Sequence, residues 1–343
     1  MSGAPADHGP HPDALSRLAA VPRRRLANLP TPLIPAPRLA RALAADPLYL
    51  KMDAETGFAL GGNKVRKLEL ELAPERLNGV THLITAGGPQ SNHCRVTAAA
   101  AARLGLGCVL VVQGPEPDRP TGNALLHRLF GAEIVTVEDR LRRSQGMDEV
   151  ARRIRADGGR PLVVPIGAST GLGSLGYALA AVELCRQLDV LDDGCGRTVL
   201  FLSSSSGGTL AGLVLGLALL GRTDVELVAV SADAPAGELR DTALRLAAEG
   251  AGLLAGEPDL TSVPLTVDDS QVGEGYGIPT TASTSALERF ARLEGVVLDP
   301  TYTAKAAAGM IAALTAGSAG RGEPGGSRRV VFLHTGGAPG LLA

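Results

Sequence analysis

The sequence predicts an α/β protein built on mainly parallel sheets. From residue 80 onward, short runs rich in Val, Ile and Leu alternate with helical stretches of roughly 10 to 15 residues. Strands joined through helices pair in parallel, with right-handed crossovers. Several apolar runs also end in polar or glycine-rich loops, where a parallel sheet presents its binding edge. At 343 residues, 45% apolar with 44 Gly and no Trp, the chain can bury a large core and divide into two domains.

The elements follow in order. Residues 1–24 are expected to form a loose leader ending in Arg23-Arg24-Arg25. Leu29-Pro30-Thr31-Pro32-Leu33 is extended, because proline disfavours helix in the residue before it. Residues 37–45 suit a short amphipathic helix and 48–52 a strand, followed by a loop through Thr56 and Gly57 to Gly62. A helix then runs from Lys64 to about residue 72. Strand 80–85 leads through loop 86–90 to helix 91–104, stopped by Gly105. Strands are expected at 108–112, 133–137 and 161–165, with helices at 123–129 and 147–156. A Gly/Ser loop over 167–176 precedes helix 177–188. Strand 198–202, loop 203–208 and helix 209–220 come next, then strand 225–230 and helix 238–248. Helix 282–294, strand 296–298, helix 304–314 and strand 329–333 complete the pattern, with 317–327 a flexible surface loop. There is no internal repeat.

Composition excludes several functions. A net charge of −2 supplies no basic field for nucleic acid or an anionic membrane. The first 12 residues hold no apolar run, so no secretory signal is expected. No apolar stretch approaches the roughly 20 residues of a membrane span. Cys94, Cys108, Cys185 and Cys195 show no CxxC spacing, which suits reduced thiols in a cytoplasmic protein rather than disulfides or zinc.

The conspicuous stretch is GGNKVRKLE, residues 61–69. The chain has only four lysines, Lys51, Lys64, Lys67 and Lys305, while the other 29 of its 33 basic residues are arginine. Arginine replaces lysine in solvation and ion pairing, but not where an amine must lose its proton and attack a carbonyl. Lys64, delivered by a flexible Gly-Gly pair and Asn63, is therefore a candidate for Schiff-base chemistry. On this stretch alone, solvated first-turn charges explain Lys64 and Lys67 as well.

Four loops lie at strand ends, and the one carrying Lys64 is the first. In the second, Gly87 to His93, Ser91 suits an N-cap, and the amides of Asn92 and His93 then form an anion site. The third, Ser203-Ser204-Ser205-Ser206-Gly207-Gly208-Thr209, can close backbone amides around a phosphate. It is neither a Walker loop nor GxGxxG, which disfavours a nucleotide-binding dehydrogenase. The fourth group joins Tyr276, the stretch Asp299 to Thr303 and His334-Thr335-Gly336-Gly337. An amine, a phosphate cradle, an anion-binding helix start and loop aromatics together match the needs of pyridoxal phosphate.

With these motifs assembled, the chain resembles the fold-type II pyridoxal-phosphate enzymes of the D-cysteine desulfhydrase and 1-aminocyclopropane-1-carboxylate (ACC) deaminase group. The markers are LPTPL, TGFALGGNKVRKLE, GGPQSNH, PIGAST, SSSSGGTLAG, GYGIP, LDPTYTAK and HTGGAP, covering the chain from about residue 26 onward. The resemblance implies two three-layer αβα domains, tryptophan synthase β-like: a small one over 65–176, and a large one combining 1–64 with 177–343. Lys64 would bond the cofactor aldehyde and take the substrate α-proton, supported by Asn63. Asn92 would bind the phenolic oxygen of the cofactor ring. Ser91, with the amides of Asn92 and His93, would hold the substrate carboxylate and assist proton transfer. Ser206, Gly207, Gly208 and Thr209 would grip the phosphate. Tyr302 would stack on the ring, Tyr276 would face the substrate, and a cytoplasmic homodimer is expected.

Two positions bear on the reaction. ACC deaminases carry Glu and Leu where this chain has Thr303 and Thr335, and threonine is the desulfhydrase pattern. A threonine hydroxyl leaves the pyridine largely neutral, sufficient for losing a good leaving group from the β-carbon. The resemblance thus implies α,β-elimination on a small amino acid, D-cysteine giving pyruvate, hydrogen sulfide and ammonia. L-cysteate sulfo-lyase, ACC deaminase and racemase activities are alternatives within the group, and a pyridoxal-phosphate carrier is the non-enzyme alternative. The chain departs from the group at Ala54, where an acid is usual, at Pro89, and at Ala168, whose methyl is expected to trim the pocket.

Overall fold

The computed structural model describes residues 10–115, 118–317 and 327–343. The chain begins with α1 (Pro12–Ala20), β1 (Leu33–Pro35), α2 (Pro37–Leu43), β2 (Leu48–Lys51) and α3 (Lys64–Glu71). It continues through β3 (His82–Gly87), α4 (Asn92–Leu104), β4 (Gly107–Gln113), α5 (Gly122–Leu129), β5 (Glu133–Val137), α6 (Arg143–Ala156) and β6 (Pro161–Val163). Next come α7 (Gly171–Asp189), β7 (Cys195–Ser204), α8 (Gly208–Leu220), β8 (Val225–Ser231), α9 (Ala236–Leu253) and β9 (Leu265–Asp268). The last are α10 (Thr281–Glu294), α11 (Thr303–Thr315) and β10 (Ser327–Leu333).

The strands form two sheets, a six-stranded one in the order β1-β2-β10-β7-β8-β9 and a four-stranded one in the order β5-β4-β3-β6. Among the described residues only the β1–β2 pair is antiparallel. Each sheet is covered on both faces, giving two three-layer αβα units. In β7, Leu200 and Leu202 join the core under α7, α8 and α9, while Val199 and Phe201 join the core under α2, α10 and α11. The small sheet repeats the alternation. Leu83, Leu110 and Val112 face α3 and α4, whereas Ile84, Val109 and Val111 face α6. Strands buried on both faces are apolar throughout, as covered parallel sheets require.

Three local expectations are corrected. Residues 12–20 are a helix, not part of a loose leader: Pro12 occupies the first turn, and Leu15 and Leu18 are buried. The Gly/Ser stretch is helical from Gly171 onward. A Cβ on Gly176 would lie 2.3 Å from the Arg66 carbonyl, and one on Gly212 of α8 would lie 2.1 Å from that of Ser174, so these glycines permit close helix packing. Residues 296–298 form no strand; β10 is already flanked by β2 and β7, and the Val297 carbonyl instead faces His334 Nε2 at 3.1 Å. The edge strand β9 was not expected, being four residues long with only partial burial. Of the expected loop over 317–327, residues 318–326 lie outside the described residues.

Candidate active site

The carboxyl ends of β3 and β7, the start of α3 and the loops before α6 and α11 converge on one cleft of about 320 Å³. It is lined by Asn63, Lys64, Ser91, Asn92, His93, Ser206, Gly207, Thr209, Tyr276, Tyr302 and Thr335. Residues from four distant loops therefore share one space. Of the expected site residues, Gly208 alone is off the lining; a Cβ there would lie 2.7 Å from Ser169 Oγ.

Backbone geometry delivers Lys64. Gly61 (φ +69°) fits only as glycine, because a Cβ would come within 1.9 Å of the Ala54 carbonyl. The Asn63 amide then bonds the Thr335 carbonyl at 2.9 Å, tying the start of α3 to the loop after β10. Lys64 Nζ donates to Asn63 Oδ1 at 2.9 Å, and Asn63 Nδ2 donates to Thr209 Oγ1 at 3.0 Å. Burial holds the amine down to about 8; Asp299 opposes the shift and Arg95 adds to it.

At the start of α4, Ser91 Oγ caps the Cys94 amide at 3.2 Å. The amides of Asn92 and His93 have no acceptor among the described residues. The Asn92 carboxamide oxygen accepts from Arg95 Nη1 and Asn123 Nδ2, both at 2.9 Å, which leaves its nitrogen as the donor. His93 is buried and bonds Thr85 Oγ1 through Nε2 at 2.8 Å; burial keeps its pKa well below the ordinary value, so the ring is neutral. Tyr276 and Tyr302 meet through their hydroxyls, their rings edge-on at 5.8 Å.

The turn after β7 fits a phosphate. Ser204 Oγ is buried with no hydrogen-bond partner among the described residues. The amides of Ser206, Gly207 and Thr209 likewise have no acceptor among the described residues. Gly207 (φ +77°) opens this turn into α8, aiming a helix N-terminus at the cleft. Behind it, Ser206 Oγ and Ser169 Oγ are 2.8 Å apart, and Lys67 Nζ donates to Ser169 at 3.2 Å.

Four relationships were not visible in the sequence. Lys67 is 1% exposed, not a solvated first-turn charge, and adds positive charge behind the turn. Arg95 is fully buried and donates to Gly61 O, Asn92 Oδ1 and Asn123 Oδ1 at 2.6, 2.9 and 3.0 Å. Arg140 and Asp233, an ion pair at 3.0 Å, and Arg143 also line the cleft. Ala168, expected to trim the pocket, instead packs into the core of the small sheet. Spacing alone carries no signal for these, because each depends on which loops meet.

The sequence matches the profile of the "Pyridoxal-phosphate dependent enzyme" family over residues 24–336. The chain belongs to that family. It is 39% identical over 335 residues to D-cysteine desulfhydrases of Salmonella newport (strain SL254) and Salmonella typhi, covering 96% of this chain and 98% of each relative. A solved ACC deaminase homologue superposes with a TM-score of 0.85 at 32% identity, covering 97% of both chains. An L-serine ammonia-lyase from Rhizomucor miehei shares the fold, with a TM-score of 0.65 at 20% identity over 93% and 96% of the two chains. The cofactor is pyridoxal phosphate, and the fold is the fold-type II expected from the motifs.

Proposed function

We propose that this enzyme removes a β-substituent from a small amino acid by α,β-elimination, converting D-cysteine to pyruvate, hydrogen sulfide and ammonia. The observation that carries the reading is the Lys64–Asn63–Thr209 chain, which links a desolvated amine to a phosphate-shaped turn in one cleft. The similarity to D-cysteine desulfhydrases supports the choice of reaction.

When bound, the cofactor supplies an aldehyde and an electron-withdrawing ring that acidifies the substrate Cα–H. The protein's residues do the rest. Lys64 Nζ, desolvated in the cleft, would hold the aldehyde and is the group that would accept the α-proton. Ser204, Ser206, Gly207 and Thr209 bind the phosphate, with Gly208 shaping the turn and Lys67 adding charge behind it. The Asn92 nitrogen binds the phenolic oxygen, its orientation fixed by Arg95 and Asn123. Ser91 and the amides of Asn92 and His93 hold the substrate carboxylate. Tyr302 covers the ring, and Tyr276 faces the substrate.

Of the two threonines, Thr335 lines the cleft, whereas Thr303 Oγ1 donates to Asp299 Oδ1 at 2.7 Å within its own turn. We therefore place Thr335 beside the ring nitrogen. We infer a small domain over 65–176 and a large one from 1–64 and 177–343, in keeping with the two sheets, and closure between them excludes water. A cytoplasmic homodimer follows the family resemblance; no described helix is long and apolar enough to cross a membrane. The test is to incubate the purified protein with D-cysteine, L-cysteine, L-cysteate and ACC. Sulfide and pyruvate from D-cysteine are expected; rapid 2-oxobutyrate from ACC overturns the reading of Thr335.

A further inference from the structure

We propose that Lys305 is a positioning residue: it clips the loop carrying Tyr276 onto α11 and thereby sets how tightly the cleft binds an amino-acid substrate. This goes beyond the elimination reading and rests on it only for the choice of D-cysteine as reacting substrate. Residues 270–279, between β9 and α10, bring Tyr276 to the cleft, yet none of them is buried. Glycines flank the tyrosine, Gly275 at φ +150° and Gly277 at φ +79°. A stretch with no buried apolar anchor and this much backbone freedom does not order itself. Apart from bonds within the loop and to Asp268 and Asp269 beside it, its hydrogen bonds to the other described residues come from two side chains. Lys305 Nζ donates to the Val272 and Gly275 carbonyls at 2.7 and 3.0 Å, and the Tyr302 hydroxyl meets that of Tyr276.

Both side chains belong to one short stretch. Tyr302 caps α11, and Lys305 lies in the first turn of that helix with its side chain fully buried. Tyr302 is itself held at the helix start, where its amide donates to Asp299 Oδ2 at 2.9 Å. The stretch therefore presents the tyrosine that covers the ring together with the cation that holds the tyrosine facing the substrate. A compact ammonium suits two carbonyls three residues apart, and its charge strengthens both bonds; a planar guanidinium needs acceptors in its own plane. That geometry accounts for a buried lysine in so arginine-rich a chain. Lys305 does not line the cleft, whereas Tyr276 and Tyr302 do, so it acts through the Tyr276 loop and not on the cofactor.

The test compares the wild-type holoenzyme with Lys305→Met, and with Lys305→Gln, which keeps a shorter donor. D-alanine has no β-leaving group, so its binding can be titrated through the cofactor absorbance. Its Kd should rise about tenfold in Lys305→Met and less in Lys305→Gln. The KM for D-cysteine should rise likewise, while kcat changes less than about threefold. Cofactor affinity should stay within about twofold of wild type. In a Tyr276→Ala background, Lys305→Met should add no further loss of D-alanine binding, because both changes act through one side chain. Nitration by tetranitromethane, mapped by mass spectrometry, should reach Tyr276 about fivefold faster in Lys305→Met and leave Tyr49 and Tyr177 unchanged. Unchanged D-alanine binding overturns the proposal, and so does a loss of equal size in the Tyr276→Ala background. Cofactor affinity that falls in step with D-alanine affinity overturns it too, because Lys305 would then only support the fold. Wild-type protein that binds D-alanine but releases no sulfide from D-cysteine defeats the elimination reading alone, and the D-alanine affinities still decide the role of Lys305.

Discussion

Asn63 receives the Lys64 amine on its Oδ1 at 2.9 Å and passes the contact on, donating from Nδ2 to Thr209 at 3.0 Å. One carboxamide thus fixes the distance between the nucleophile and the phosphate turn. Asn63→Ala should keep the fold yet weaken pyridoxal-phosphate binding. Two lost hydrogen bonds at about 1 kcal/mol each correspond to roughly 30-fold in Kd, measured by titrating cofactor into apoprotein. Unchanged affinity would show that the link is incidental.

Cofactor capture should depend on pH in a defined direction. Only the neutral amine attacks an aldehyde, and burial favours that form, bringing the Lys64 pKa down from 10.5 to about 8. The rate at which apoprotein acquires cofactor absorbance should therefore rise through about pH 8 and level off above it. A rise centred near 10.5 would mean a solvated lysine.

Thr335→Ala should still bind cofactor but shift its absorbance and slow elimination. Loss of one neutral hydrogen bond corresponds to about a tenfold fall in kcat. Unchanged spectra and rates would remove Thr335 from the ring.

Much of the fold was legible because its signals are local. Alternation between β periodicity and helical periodicity revealed the parallel sheets, and Gly61 and Ser91 marked where α3 and α4 begin. The elements that were missed depend on contacts. Helix α7 begins among glycines because α3 and α8 pack against it closely, and β9 gains its order from pairing with β8. The scarcity of lysine pointed to Lys64, but it has a broader basis. Lys51, Lys67 and Lys305 are all buried on specific oxygens: Glu183 and Gln187 for Lys51, Ser169 for Lys67, and two backbone carbonyls ahead of Tyr276 for Lys305.

The buried network behind the site governs stability. Arg66 Nε meets Asp53 Oδ2 at 2.9 Å, and Arg66 Nη2 meets Glu183 Oε1 at 2.8 Å. Burial pushes both carboxyls up, but Arg66 and Lys51 more than offset it, leaving both below the usual range. Acids depressed in the fold stabilise it above their unfolded pKa of about 4, and that stability is lost as pH falls through their lower folded values. Asp53→Asn should cost about 3 to 5 kcal/mol in denaturant unfolding at pH 7, with a smaller difference from wild type in acid. Equal stability at pH 7 would refute the network's role.

The most direct test of the account is to treat the cofactor-loaded protein with borohydride, digest it and locate the reduced pyridoxyl group by mass spectrometry. The account predicts the label on Lys64 and not on Lys51, Lys67 or Lys305. A label on any of those three, or on no lysine, would contradict it.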